Sequence, residues 1–232
     1  LKLGNRYWLG SYLYVRSYQN ALRRILKAKR FFILDSGAHT FQKPDKEIDW
    51  NKYVWEYVQF LKQFPEIDEY VELDIENKVG LTQVEKWRKW MEQELGKPPI
   101  VVWHRERGKD YWLWMVKTYP YVGFSGFVVT PEGGKEVPEK YYAWFIKTAH
   151  EHGARIHGFG IGSPNLVFKY NFDSVDSSTW VVQTNLNKVC YFSKGKIQCI
   201  KIAANKVNYR HRYYVNAQAY IALQGILETR GG

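Results

Sequence analysis

Short apolar runs and helical stretches alternate along most of this chain, and that rhythm limits the fold more than any single residue does. Strands are expected at 10–15, 31–34, 70–75, 100–103, 121–127 and 156–161. Between them lie stretches of helical periodicity: 18–29, 50–61 behind the cap Asp49, 82–95, 110–119 and 138–151. Thr82-Gln83-Val84-Glu85 reads as a capping box, and Gly96 as the end of the helix it opens. Strand, helix and strand in succession give a parallel pair with a right-handed crossover, and six or seven such units close naturally into a ring. No GxGxxG or Walker pattern follows any strand. The expected fold is therefore α/β, a TIM-like (β/α) barrel rather than a Rossmann sheet. Residues 189–202 break the rhythm with two β-type runs around Ser193-Lys194-Gly195-Lys196, an appended β-hairpin, and a C-terminal helix follows over 213–227. Residues 1–232 are expected to form a single domain, with 185–232 as its appended hairpin and helix.

Charge and aromatic content point to the partner. Lys and Arg number 34 against 23 Asp and Glu, a formal charge of +11 that suits either a polyanionic partner or solubility charge alone. With 10 Trp and 18 Tyr, rings interleave with cations as in surfaces that stack on bases, although most of these rings, Trp87 and Trp90 among them, are expected in the core. Cys190 and Cys199, set apart by the Ser193–Lys196 turn, indicate neither a disulfide framework nor a zinc signature. No apolar run approaches the roughly 20 residues of a membrane span. A soluble, cytoplasmic protein without membrane contact, metal or cofactor is expected.

The densest chemistry lies in residues 155–182. Gly158, Gly160 and Gly162 line a strand exit where backbone can approach a ligand, and Ser163-Pro164 reads as an N-cap with proline in the first turn. Asp173 and Asp176 follow, three apart, so an extended chain turns them to opposite faces and only one can serve a common pocket. Asp176 is the choice. Carboxyl ends of parallel strands open on one face, which would gather Asp35, Ser36, Gly37, Asp74, His104, Arg105, Ser125, Gly126, Gly160, Gly162 and Asp176. Several of these have plainer readings. Asp35 suits an Asx-turn, Glu72 and Glu76 beside Asp74 suit a solvated acidic edge, and Arg105 suits an ion pair with Glu106 or Asp110. His150 and His152 suit a helix C-terminus, and Lys206, Arg210 and Arg212 suit either phosphate contacts or a solvated basic connection.

The residues resemble one known family. Asp35-Ser36-Gly37-Ala38-His39-Thr40-Phe41-Gln42 is similar to the DSGGFQ loop of tRNA-guanine transglycosylases. Phe159-Gly160-Ile161-Gly162-Ser163-Pro164 resembles their MGVGxP turn, and Phe172-Asp173-Ser174-Val175-Asp176-Ser177 their VDMFDC strand. Glu72-Leu73-Asp74-Ile75 is a weaker likeness to their FDEC segment. The resemblance implies a base-exchange enzyme on a TIM-type barrel. In it Asp176 would attack C1′ of a target guanosine and hold a covalent intermediate that a free 7-deazaguanine base, such as 7-cyano-7-deazaguanine, resolves. Asp35 would be its general acid/base, and Asp74 would bind the incoming base; an alignment on Phe172-Asp173 would make Asp173 the nucleophile instead. Three departures stand out. The zinc subdomain is missing, the GIVQGG strand has become Val101-Val102-Trp103-His104-Arg105-Glu106-Arg107-Gly108, and the chain is much shorter. These resemble compact phage and viral relatives acting on DNA, whose target base must leave the stack at a cost of roughly a few kcal/mol. The expected function is thus a DNA guanine transglycosylase, with a minimal tRNA enzyme and a non-catalytic nucleic-acid-binding barrel as alternatives.

Overall fold

The computed structural model describes residues 7–41, 47–125, 137–194, 196–203 and 207–230. Its elements run β1 (Tyr7–Ser11), α1 (Tyr12–Val15), α2 (Gln19–Ala28), β2 (Phe31–Asp35), α3 (Trp50–Gln63), β3 (Glu69–Tyr70), α4 (Glu76–Val79), α5 (Leu81–Leu95), β4 (Val101–Trp103), α6 (Gly108–Thr118) and β5 (Tyr121–Ser125). There follow α7 (Tyr142–Glu151), β6 (Arg155–Phe159), α8 (Pro164–Lys169), β7 (Ser174–Val175), α9 (Thr179–Asn185), β8 (Lys188–Ser193), β9 (Lys196–Lys201) and α10 (Tyr209–Arg230). The fold is mixed α/β. The described strands pair as sheets of order β1-β2-β3, β4-β5-β6-β7 and β8-β9, not as one closed ring. The chain divides into two compact units, Leu1–Val102 with Lys117–Val122 and Trp103–Val116 with Gly123–Gly232.

In the first unit β1, β2 and β3 are parallel, with Ser11 beside Asp35 and Leu34 beside Tyr70, and a parallel bridge joins Val71 to Ile100. The first strand begins earlier than its apolar run suggests. Gly10 lies inside it because a Cβ there would come within 2.8 Å of the Phe32 ring, and the chain then coils at 12–15 to bury Tyr12 against Tyr53, Tyr57 and Phe60. The inner stripe of α3, namely Tyr53, Val54, Tyr57, Val58 and Leu61, is wholly buried, and the Asp49 side chain caps the helix by accepting the Lys52 N–H at 3.0 Å. Tyr57 donates its hydroxyl to the carbonyls of Leu34 and Val71, at 2.9 and 3.2 Å, which ties the helix to two strand ends. The expected capping box does not form. Gly80, at φ +81°, ends α4 and starts α5 at Leu81, so Thr82 already lies within the first turn.

Glu72 also departs from expectation. It lies in no solvated edge; it is fully buried, held by Arg88 Nε at 2.6 Å and by the Val102 N–H at 2.8 Å, with Arg88 itself buried over the Tyr119 ring. Two ions leave water together here, and each of Glu72's oxygens has a donor.

The second unit is built on rings. Trp103, Trp112, Phe124, Tyr142, Phe145 and Phe172 pack edge-on or tilted at centroid separations of 4.7–6.5 Å. Trp112 satisfies its indole N–H on Thr148 Oγ1 at 2.7 Å. Among the described residues buried rings outnumber exposed ones without being a majority of all the rings; Trp87 is buried, and Trp90 packs against the core partly exposed. The hairpin of β8 and β9 pairs antiparallel, with Cys190 opposite Cys199, and the two form a disulfide. That corrects the expectation of two unlinked thiols: the register of the hairpin, invisible in the spacing alone, sets them side by side. The buried Asn216 on α10 accepts the Cys190 N–H at 2.6 Å and donates to Thr184 Oγ1 and the Lys188 carbonyl. One amide so fastens α9, β8 and α10 together. Among the described residues no helix is long and apolar enough to cross a membrane.

Candidate active site

Parallel pairing of β6 with β7 sets His157 beside Ser174 and Gly158 beside Val175. Because alternate residues of a strand share a face, Ser174 and Asp176 project on the same side as His157. The buried His157 ring meets both. Its Nδ1 hydrogen-bonds Ser174 Oγ, and its Nε2 lies 3.3 Å from Asp176 Oδ1. That same oxygen accepts the Gly160 N–H at 2.9 Å. Asp176 Oδ2 has no protein partner among the described residues, and the side chain keeps 24% of its surface exposed.

The backbone around this carboxylate is glycine by necessity. Gly160 stands at φ +69°, which L side chains rarely adopt, and that conformation turns its N–H onto Asp176. At Gly162 a Cβ would collide with Ser177, 2.1 Å from its Oγ and 2.5 Å from its Cβ. Ser163 and Pro164 do open α8, with proline in its first turn, but the serine side chain makes no cap bond.

Asp173 and Asp176 separate as their spacing predicts. Asp173 accepts the Ile156 N–H at 2.7 Å and pairs with His150 at 2.9 Å, at the start of β6. Its role is to tie α7 to that strand, which also gives His150 a partner beyond its helix terminus. Asp176 lies at the carboxyl end, where α/β folds place ligands. His157 and Ser174 are polar groups the sequence reading passed over; Ser-Val-Asp, polar at every second residue, following a strand with a single histidine among Ile156, Gly158 and Phe159, was the available signal.

Elsewhere the expected site residues fall variously. In the first unit Asp35 ends β2 and accepts the Gly37 N–H at 3.0 Å, the Asx-turn of the plainer reading. Ser36 is fully buried with its oxygen toward the Ala38 N–H, so its hydroxyl closes the loop and does not face solvent. Gly37, at φ +73°, is wedged against Ser11: a Cβ there would stand 2.6 Å from Ser11 Oγ. Asp74 is half-buried between the buried Leu73 and Ile75. In the second unit His104 is half-buried and Arg105 exposed; Arg105, Trp103, Lys140 and Tyr141 line a cleft of about 360 Å³. Ser125 ends β5, while its side chain, together with Gly126 and Lys206, lies outside the described residues. Arg210 is exposed, but Arg212 is buried, bonded to the Val207 carbonyl and set over the Tyr209 ring. Arg212 therefore secures the start of α10 and is no surface contact for phosphate, a correction to its expected role. Among the described residues no group of three or more His, Cys, Asp or Glu is placed to hold a metal ion.

These features define a mixed α/β protein with parallel sheets and a mostly buried carboxylate, fixed by one oxygen, at a strand's carboxyl end. Compared with known proteins, the chain matches no family model and no curated protein. Among solved structures it is similar to a xylose isomerase-like TIM barrel protein from Mycobacterium smegmatis, solved in complex with magnesium. The two are 13% identical, with 72% of this chain and 79% of that chain covered, at a TM-score of 0.30.

Proposed function

We propose that the protein is a nucleic-acid guanine transglycosylase of TIM-like barrel ancestry that exchanges guanine in DNA for a 7-deazaguanine. The observation that carries this reading is Asp176, anchored through Oδ1 with Oδ2 left to react, within the segment that resembles the family's nucleophile strand. In the proposed first step Oδ2 gives an electron pair to C1′ of the target nucleotide as the C1′–N9 bond breaks. That bond's pair leaves with guanine, which takes a proton from Asp35 in the role the resemblance implies. In the second step the incoming base returns a proton from its N9 to Asp35. Its N9 pair bonds C1′, and the C1′–Oδ2 pair goes back to Asp176. Asp74 would orient the incoming base by hydrogen bonding. No cofactor enters this scheme, and the charge of +11 supports a polyanionic substrate.

The test is base exchange with labelled guanine and with 7-cyano-7-deazaguanine, on duplex DNA and on tRNA in parallel. Label entering DNA, abolished by Asp176→Ala with DNA binding retained, is the expected result. Label in tRNA alone would select the minimal tRNA enzyme. Binding without exchange on either substrate, unaltered by Asp176→Ala, would select the non-catalytic barrel. A cytoplasmic location belongs to the same proposal and sits uneasily with the Cys190–Cys199 disulfide, since such bonds persist chiefly in oxidising compartments.

A further inference from the structure

We propose that His157, held in its Nε2–H tautomer by Ser174, is a positioning residue for Asp176: it commits Oδ1 to the protein, leaves Oδ2 as the reacting oxygen, and favours release of the glycosyl ester. The chemical half of this inference rests on the transglycosylase reading; the tautomer half does not.

For a neutral ring beside a carboxylate the hydrogen-bond chain permits one assignment. An ionised carboxylate only accepts, so the His157–Asp176 bond requires the proton on Nε2. A neutral ring with Nε2–H carries its lone pair on Nδ1, where Ser174 Oγ stands, so the hydroxyl must donate there. His157 is 1% exposed, and water therefore does not compete for either nitrogen. The outcome is a row of hydroxyl, imidazole and carboxylate spanning the ends of β6 and β7, with the Gly160 N–H as a second donor to the same oxygen.

That asymmetry has a chemical consequence. In the free carboxylate Oδ1 bears about half of the negative charge; in an ester through Oδ2 it is a neutral carbonyl oxygen. Donors hold a charged oxygen more strongly than a neutral one. His157 and Gly160 therefore favour the state in which the C1′–Oδ2 pair has returned to Asp176. Removing the His157 donor should let the covalent adduct accumulate, whereas loss of a merely structural group would let less of it form.

The experiment uses the full chain with a guanine-containing DNA duplex. Wild type, His157→Phe and His157→Gln are denatured during turnover, and the fraction of protein carrying DNA is measured. His157→Phe should trap on the order of tenfold more adduct, at the low end of what one donor to a developing charge contributes. Glutamine, whose amide can donate in place of the ring, should return it toward wild type. Unchanged or lower adduct in folded His157→Phe, or no rescue by glutamine, would overturn the chemical half. Separately, ring nitrogen NMR of the free wild-type chain should show His157 protonated at Nε2 alone, and either other state would overturn the part given to Ser174. If neither DNA nor tRNA yields adduct in any variant, the transglycosylase reading itself fails, and the NMR result still decides the tautomer.

Discussion

At the scale of single residues, the site depends on close approach more than on charge. Gly162 has Ser177 where its own side chain would be, so Gly162→Ala should cost about 1–3 kcal/mol through overpacking. Thermal denaturation would show it, at about 2–4 °C per kcal/mol for a chain of this size, and Ser177→Gly in the same chain should restore most of the loss. The substituted carboxylate differs in kind. Asp176→Asn keeps the shape and the two donors' target, so stability should hardly change while exchange falls by about a thousandfold or more. A circular dichroism melt alongside the labelled-base assay separates the two effects.

At the scale of elements, Asn216 is the clearest fastening. Asn216→Ala would orphan the buried Cys190 N–H and remove the donor to Thr184, whose hydroxyl keeps its own bond to the Trp180 carbonyl, and a loss of about 1–3 kcal/mol is expected, seen as early protease cutting near the hairpin. The hairpin and C-terminal helix were legible in advance, because two β-type runs around Ser193–Lys196 and a long helical stretch are local signals. The strands β2, β4, β5 and β6 were legible for the same reason, as were the inner stripe of α3 and the divergence of Asp173 from Asp176. What escaped was set by pairing across the chain. Cys190 meets Cys199 only through the hairpin register, and Glu72 sheds water only because Arg88 and Val102 come to it. His157 gained its meaning only once β7 lay alongside. Ser36 and Arg212 carry the right chemistry for a ligand, but packing from α3 and the Val207 turn claims them first.

For the molecule as a whole, the buried tyrosines set an alkaline limit. Burial pushes Tyr142 up to about 12 and holds Tyr53, Tyr57 and Tyr70 higher still, against about 10 in an unfolded chain. The folded chain thus binds these protons more tightly. Stability should be intact below about pH 10 and fall as the pH rises through 12, with ultraviolet titration showing late tyrosines that ionise only on unfolding. The pairing of Glu72 with Arg88 reaches further, into the time course of assembly. Neither ion can give up its hydration shell alone, so the segment after β3 must wait, still wet, until α5 and β4 have arrived beside it. Arg88→Met should therefore leave refolding nearly as fast as before while unfolding quickens many-fold: a lock that turns last on the way in is the first to give on the way out.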